Sequence, residues 1–119
     1  MLNTGHIIVT SSRARTTLVP GNAVYYCGTK HFVKVLVQSF NIETIQDNKN
    51  IWTTTIYPGM IKTELLNTVA ESVVKKQVEN FYEQFGLEPE TIASAVLYAI
   101  SQPEHVDVSD LVVRPTFEG

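Results

Sequence analysis

Tyr26 and Lys30 stand four residues apart, a spacing that on a helix stacks the phenol and the ammonium on one face. A fixed positive charge favours an ionised phenol, and a helix N-terminus adds to that effect when the tyrosine lies in the first turn. Such a pair can pass a proton to and from a reacting oxygen. Of the five tyrosines only Tyr26 has a lysine at this spacing. The plain alternative for the pair alone is a surface lysine snorkelling past a half-buried ring.

The pair opens an apolar-periodic segment. Phe32, Val33, Leu36, Val37 and Phe40 recur at three- and four-residue steps, which predicts a helix from about Ala23 to the mid-forties with this stripe buried. Asp47-Asn48-Lys49-Asn50 should stop it. Upstream, His6-Ile7-Ile8-Val9-Thr10-Ser11 is a β-branched run with little polar alternation, as in a parallel strand covered on both faces, and it should end at Ser12. Residues 13–22 read as a loop. Downstream, Ile51–Tyr57 is a second strand, broken by Pro58-Gly59.

Helical periodicity returns over 64–85. Leu65, Leu66, Val69, Val73, Val74, Val78, Phe81, Tyr82 and Phe85 line one side, and Gly86 suits the helix end. A further helix starts near Pro89, turns Ile92, Ala93, Val96, Ala99 and Ile100 inward and ends before Pro103. Asp110–Arg114 is the last strand. Strands alternating with helices specify a parallel sheet with right-handed crossovers, here one domain over 1–119. In such a sheet ligands collect outside the carboxyl ends of the strands. Ser12, Pro58-Gly59 and the Tyr26–Lys30 pair converge on that edge.

Gly-His-Ile-Ile-Val-Thr-Ser-Ser at 5–12, Tyr26-x-x-x-Lys30 and Tyr-Pro-Gly-Met-Ile-Lys-Thr-Glu-Leu at 57–65 come in an order, and at intervals, that resemble the short-chain dehydrogenase/reductase family. The resemblance covers nearly the whole chain but only the C-terminal, catalytic half of that family. It implies part of a Rossmann-like doubly wound sheet, three strands with flanking helices. It also implies an oxidoreductase that interconverts a carbonyl and an alcohol with NADP or NAD. By resemblance, Tyr26 is the acid/base, Lys30 favours its ionised form and holds the nicotinamide ribose, and Ser12 holds the substrate oxygen, with Ser11 as the alternative. Pro58, Gly59, Ile61 and Thr63 would lie against the nicotinamide, and 64–86 would be the substrate lid.

Two departures stand out. Arg15 replaces the glycine of the family's Ser-Ser-x-Ala-Gly, and the interval from Ser12 to Tyr26 is one residue longer than usual, with Tyr25 doubled beside Tyr26. The glycine-rich turn that would hold the pyrophosphate is not found in the chain, so weak or absent cofactor binding by this polypeptide alone is expected.

With 44% apolar and 18% charged residues in 119 and a formal charge of −3, composition is that of an ordinary soluble domain without a basic footprint for nucleic acid. The lone cysteine, Cys27, excludes an intrachain disulfide and a cysteine metal cluster, and should simply be packed; no metal site is expected. No signal-like or membrane-spanning run is present, which makes a cytoplasmic location the expectation. The expected partners are a small carbonyl or alcohol substrate and, because an incomplete sheet leaves apolar edges, further copies of the chain. The second reading, from a different class, is a non-catalytic remnant acting only as an oligomerising or interaction module.

Overall fold

The computed structural model describes residues 4–13, 26–64 and 73–118. Strand β1 (Thr4–Thr10) leads to helix α1 (Gly28–Gln46) and strand β2 (Asn50–Pro58), then to helices α2 (Val73–Phe85) and α3 (Pro89–Ile100), strand β3 (Asp110–Val113) and a 3-10 turn at Thr116–Glu118. The strands form one parallel sheet in the order β1-β2-β3. Expected positions at Ala23–Tyr25, Leu65, Leu66 and Val69, and the side chains of Val73 and Val74, lie outside the described residues.

Strand β2 is the spine. With a strand on each side, its residues Thr53 to Tyr57 are all buried, as a parallel-sheet core requires. Its threonines keep their hydroxyls satisfied: Thr54 Oγ1 donates to the Val108 carbonyl at 2.6 Å and accepts from His6 Nε2 at 2.7 Å. That assigns the ring proton of His6 to Nε2. The His6 ring also packs on Trp52, with centroids 5.1 Å apart. Burial holds His6 below its ordinary pKa, with the Asp107 carboxylate pulling the other way.

Helix α1 stops where the sequence predicts. Asp47 caps it, and Asn48 takes the left-handed conformation (φ 51°) that asparagine tolerates. Its expected buried stripe is corrected, however. Phe32 and Leu36 are more than half exposed and Phe40 is exposed, whereas the more buried residues of the helix and its first turn include Cys27, Lys30, Val33, Val37, Asn41 and Thr44. The Thr44 hydroxyl reaches the Ile51 carbonyl of β2 at 3.2 Å. The apolar stripe was read correctly as a stripe. Its direction holds as well, since Leu36, Val37 and Phe40 border a groove against Ile7 and Val9 of β1 and Thr53 of β2; what fails is its depth, because Leu36 and Phe40 stay exposed along that groove. In α3, Ile92, Val96 and Ala99 turn inward as expected, while Ala93 and Ile100 are exposed.

Among the described residues no helix is long and apolar enough to cross a membrane, and no group of three or more His, Cys, Asp or Glu side chains could hold a metal ion.

Candidate active site

Three segment ends meet at the carboxyl edge of the sheet. The first follows β1, where the Ser11 amide donates to the Ile56 carbonyl at 2.8 Å and so carries the pairing one residue past the strand. The second follows β2. There the Gly59 amide donates to the Val113 carbonyl at 2.8 Å, and the Lys62 amide and Met60 carbonyl pair with Leu87, both at 2.9 Å. The third is the start of α1. Tyr26 and Cys27 form a wider, π-type turn just before Gly28. Thr29 Oγ1 donates to the Tyr26 carbonyl at 2.9 Å, and His31 Nδ1 bonds the Cys27 carbonyl at 2.7 Å, which requires the proton on Nδ1. Cys27 is fully buried, as expected of a packed thiol.

These ends enclose a cleft of about 620 Å³ whose walls include Ser12, Tyr26, Lys30, Pro58, Gly59, Ile61 and Thr63. Every site residue expected from sequence is therefore brought to one cavity. Lys30 Nζ lies 5.5 Å from the centroid of the Tyr26 ring, over its face. Tyr26 itself is 37% exposed, so its hydroxyl-bearing ring is open to a ligand. Ser11 lines the cleft as well, and its buried Oγ has no hydrogen-bond partner. Both serines thus remain candidates for the substrate oxygen, Ser11 as an orphaned hydroxyl and Ser12 as the more accessible one.

Sequence reasoning missed three wall residues. Tyr82 projects from α2, and burial raises its pKa, helped by the Glu118 carboxylate and by Tyr26. Arg13 and Glu118 form an ion pair with Nε to Oε2 at 3.2 Å. They are 105 residues apart, so no local pattern links them. Tyr82 had a signal, since it was already on the inward side of the expected lid helix. A second cavity of about 480 Å³ adjoins the cleft through Thr63 and Tyr82, and its rim carries Glu64, Glu79 and Glu83.

Chemically the cleft offers hydroxyls at Ser11, Ser12, Tyr26 and Thr63, one ammonium at Lys30, and the backbone of the Pro58–Thr63 turn. This set suits a sugar diol, a carboxamide and a carbonyl oxygen. It fits the nicotinamide-ribose end of a dinucleotide. The pyrophosphate end would need clustered backbone amides, and glycines at 5, 21, 28, 59, 86 and 119 form no glycine-rich turn.

Comparison with known proteins agrees with this geometry. The family pattern described as short chain dehydrogenase matches residues 1–73. An uncharacterised oxidoreductase of Listeria innocua is 46% identical over 112 residues, which are 94% of this chain and 45% of that protein. The closed form of a serine dehydrogenase complexed with NADP+ superposes with a TM-score of 0.75 at 29% identity, covering 93% of this chain and 44% of the other. An alcohol dehydrogenase of the archaeon Thermococcus sibiricus, complexed with 5-hydroxy-NADP, gives 0.72 at 25% identity over 94% and 42% of the two chains. The chain spans about half the length of the relatives it matches.

Proposed function

The chain belongs to the short-chain dehydrogenase family, and from that premise we propose that it is the catalytic half of an NAD(P)-dependent oxidoreductase acting on a small carbonyl or alcohol. One observation carries this reading: Tyr26, Lys30, Ser12 and the Pro58–Thr63 turn, far apart in sequence, line one cleft. When bound, a nicotinamide cofactor supplies or accepts the hydride. Lys30, Pro58, Gly59, Ile61 and Thr63 would hold its nicotinamide end.

The chain's own residues handle the proton and the oxygen. In the reducing direction Tyr26 gives its hydroxyl proton to the oxygen that gains charge, and in the oxidising direction it takes the proton back. Lys30, with its ammonium over the Tyr26 ring, stabilises the negative charge left on the phenol oxygen. Ser12 or Ser11 donates a hydrogen bond to the same substrate oxygen and fixes its position. Helix α2 is the described part of the lid, and its Tyr82 lines the cleft. A cytoplasmic setting belongs to the same reading.

The test is titration of the chain with NADPH and NADH, followed by cofactor fluorescence. Weak, saturable binding that Lys30→Met abolishes supports the proposal. No binding at millimolar cofactor would oppose it for this chain.

A second reading has its own observation. Helix α1 exposes Phe32, Val35 and Leu36, and Leu36 and Phe40 border an open apolar groove with Ile7 and Val9 of β1, an area of the kind that marks protein contacts. On this reading the chain self-associates through α1, with or without catalysis. A monodisperse monomer of 13.3 kDa in light scattering would exclude it.

A further inference from the structure

We propose that Glu118 is a positioning residue of the cleft: its carboxylate, held by Arg13, fixes the Pro58–Met60 turn that faces the cofactor's place. This rests on the proposed function for the word cofactor, and on geometry for everything else. The Glu118 side chain is only 11% exposed, and each of its oxygens has a distinct partner. Oε1 accepts the Met60 amide proton at 2.9 Å. Oε2 faces Arg13 Nε at 3.2 Å, and Arg13 Nη1 donates to the Glu118 carbonyl at 2.7 Å. A carboxylate this buried needs such compensation, and here the compensating groups belong to the ends of β1 and β2.

Gly59 carries the imprint of the same contact. A Cβ there would stand 2.6 Å from Glu118 Oε2 and 2.7 Å from Arg114 Cβ, so only glycine lets the carboxylate come this close. The glycine of the Pro58-Gly59 pair is thus explained by docking as well as by the turn. On the other side of the 3-10 turn, Phe117 meets Phe81 and Phe85 of α2 edge-on, with centroids 5.9 and 5.7 Å apart. Three residues therefore tie together the end of β1, the turn after β2 and the lid helix. Displacing Glu118 frees Met60, the neighbour of the residues assigned to the nicotinamide.

Site-resolved amide hydrogen exchange of the 119-residue chain tests this without cofactor or turnover. The Met60 amide should exchange about tenfold faster in Glu118→Ala, the loss of one charge-assisted hydrogen bond. The Gly59 amide, bonded to the Val113 carbonyl, should stay at its wild-type rate. Glu118→Gln retains an acceptor oxygen and should restore most of the Met60 protection. Arg13→Gln, which keeps the Glu118 carboxylate but removes its guanidinium, should raise Met60 exchange by a smaller factor than Glu118→Ala. Unchanged Met60 exchange in Glu118→Ala overturns the proposal, as does an equal rise at Gly59, which would mean general loosening. Failure here leaves the cofactor titration untouched, and failure of the titration leaves Glu118 in place.

Discussion

The two long sides of α1 differ. The side toward the sheet carries Lys30, Asn41 and Thr44 beside Val33 and Val37, with Leu36 and Phe40 along a groove against β1, while Phe32 and Val35 are more than half exposed outside that groove. The inner side is polar because it serves a site at one end and bonds the β2 backbone at the other. One helix thus lines the cleft with its first turns and leaves apolar side chains exposed farther along.

That contrast can be broken at several strengths. The largest effect belongs to the catalytic end. In any preparation of this chain that turns over a carbonyl or alcohol, Tyr26→Phe should lower kcat by about 10²–10⁴-fold, the typical value of a positioned acid/base. Thermal unfolding should be nearly unchanged, since Tyr26 lies on the exposed lip of the cleft. A parallel fall in melting temperature would instead make Tyr26 structural.

Further along the inner face, Thr44→Val keeps the shape but removes the hydroxyl donated to the Ile51 and Asn41 carbonyls. Denaturant unfolding should show a loss of about 1–2 kcal/mol, the cost of leaving a buried acceptor unmade. A neutral result would mean that the polarity of this face is incidental. On the exposed side, Val35→Gln should leave folding stability within about 0.5 kcal/mol while weakening self-association about tenfold in sedimentation. Destabilisation without a change in association would reverse the roles given to the two faces.

The smallest effect lies at the far end of the sheet and acts as a control. His6 is held below its ordinary pKa of 6.5 by burial, with Asp107 opposing. The unfolded chain therefore takes up its proton first as pH falls. The stabilisation from the neutral ring is complete above about pH 6.5 and declines as pH drops below it toward the folded value. Urea midpoints should fall over that window, and His6→Gln should flatten the change without altering cleft ligand binding.

The elements were legible wherever local chemistry dictates them. Ile51–Tyr57 reads as a strand because β-branched and aromatic residues fill it, and β2 contains it. Pro89 opens α3 at a position where its missing amide is harmless, and Asp47-Asn48 closes α1. The cleft was legible as motifs, since Ser12, Tyr26, Lys30, Pro58, Gly59, Ile61 and Thr63 do share it. Periodicity located the stripe on α1 but not how much of it is covered, because the apolar pattern of one helix is silent about how closely its neighbours approach. The Arg13–Glu118 pair was invisible because charge complementarity across 105 residues leaves no mark on spacing. The extra residue before Tyr26 was visible. The segment that accommodates it lies outside the described residues.

The proposed function requires the cleft to hold the nicotinamide end of a cofactor. Titration of the isotope-labelled chain with reduced nicotinamide mononucleotide tests it most directly, because that ligand asks only for the end assigned to this cleft. The expected result is saturable shifts of the Lys30, Ile61 and Thr63 amides, lost in Lys30→Met, with the amides of Phe32 and Val35 on the outer face of α1 unmoved. Shifts confined to that outer face, or none at millimolar ligand, would contradict it.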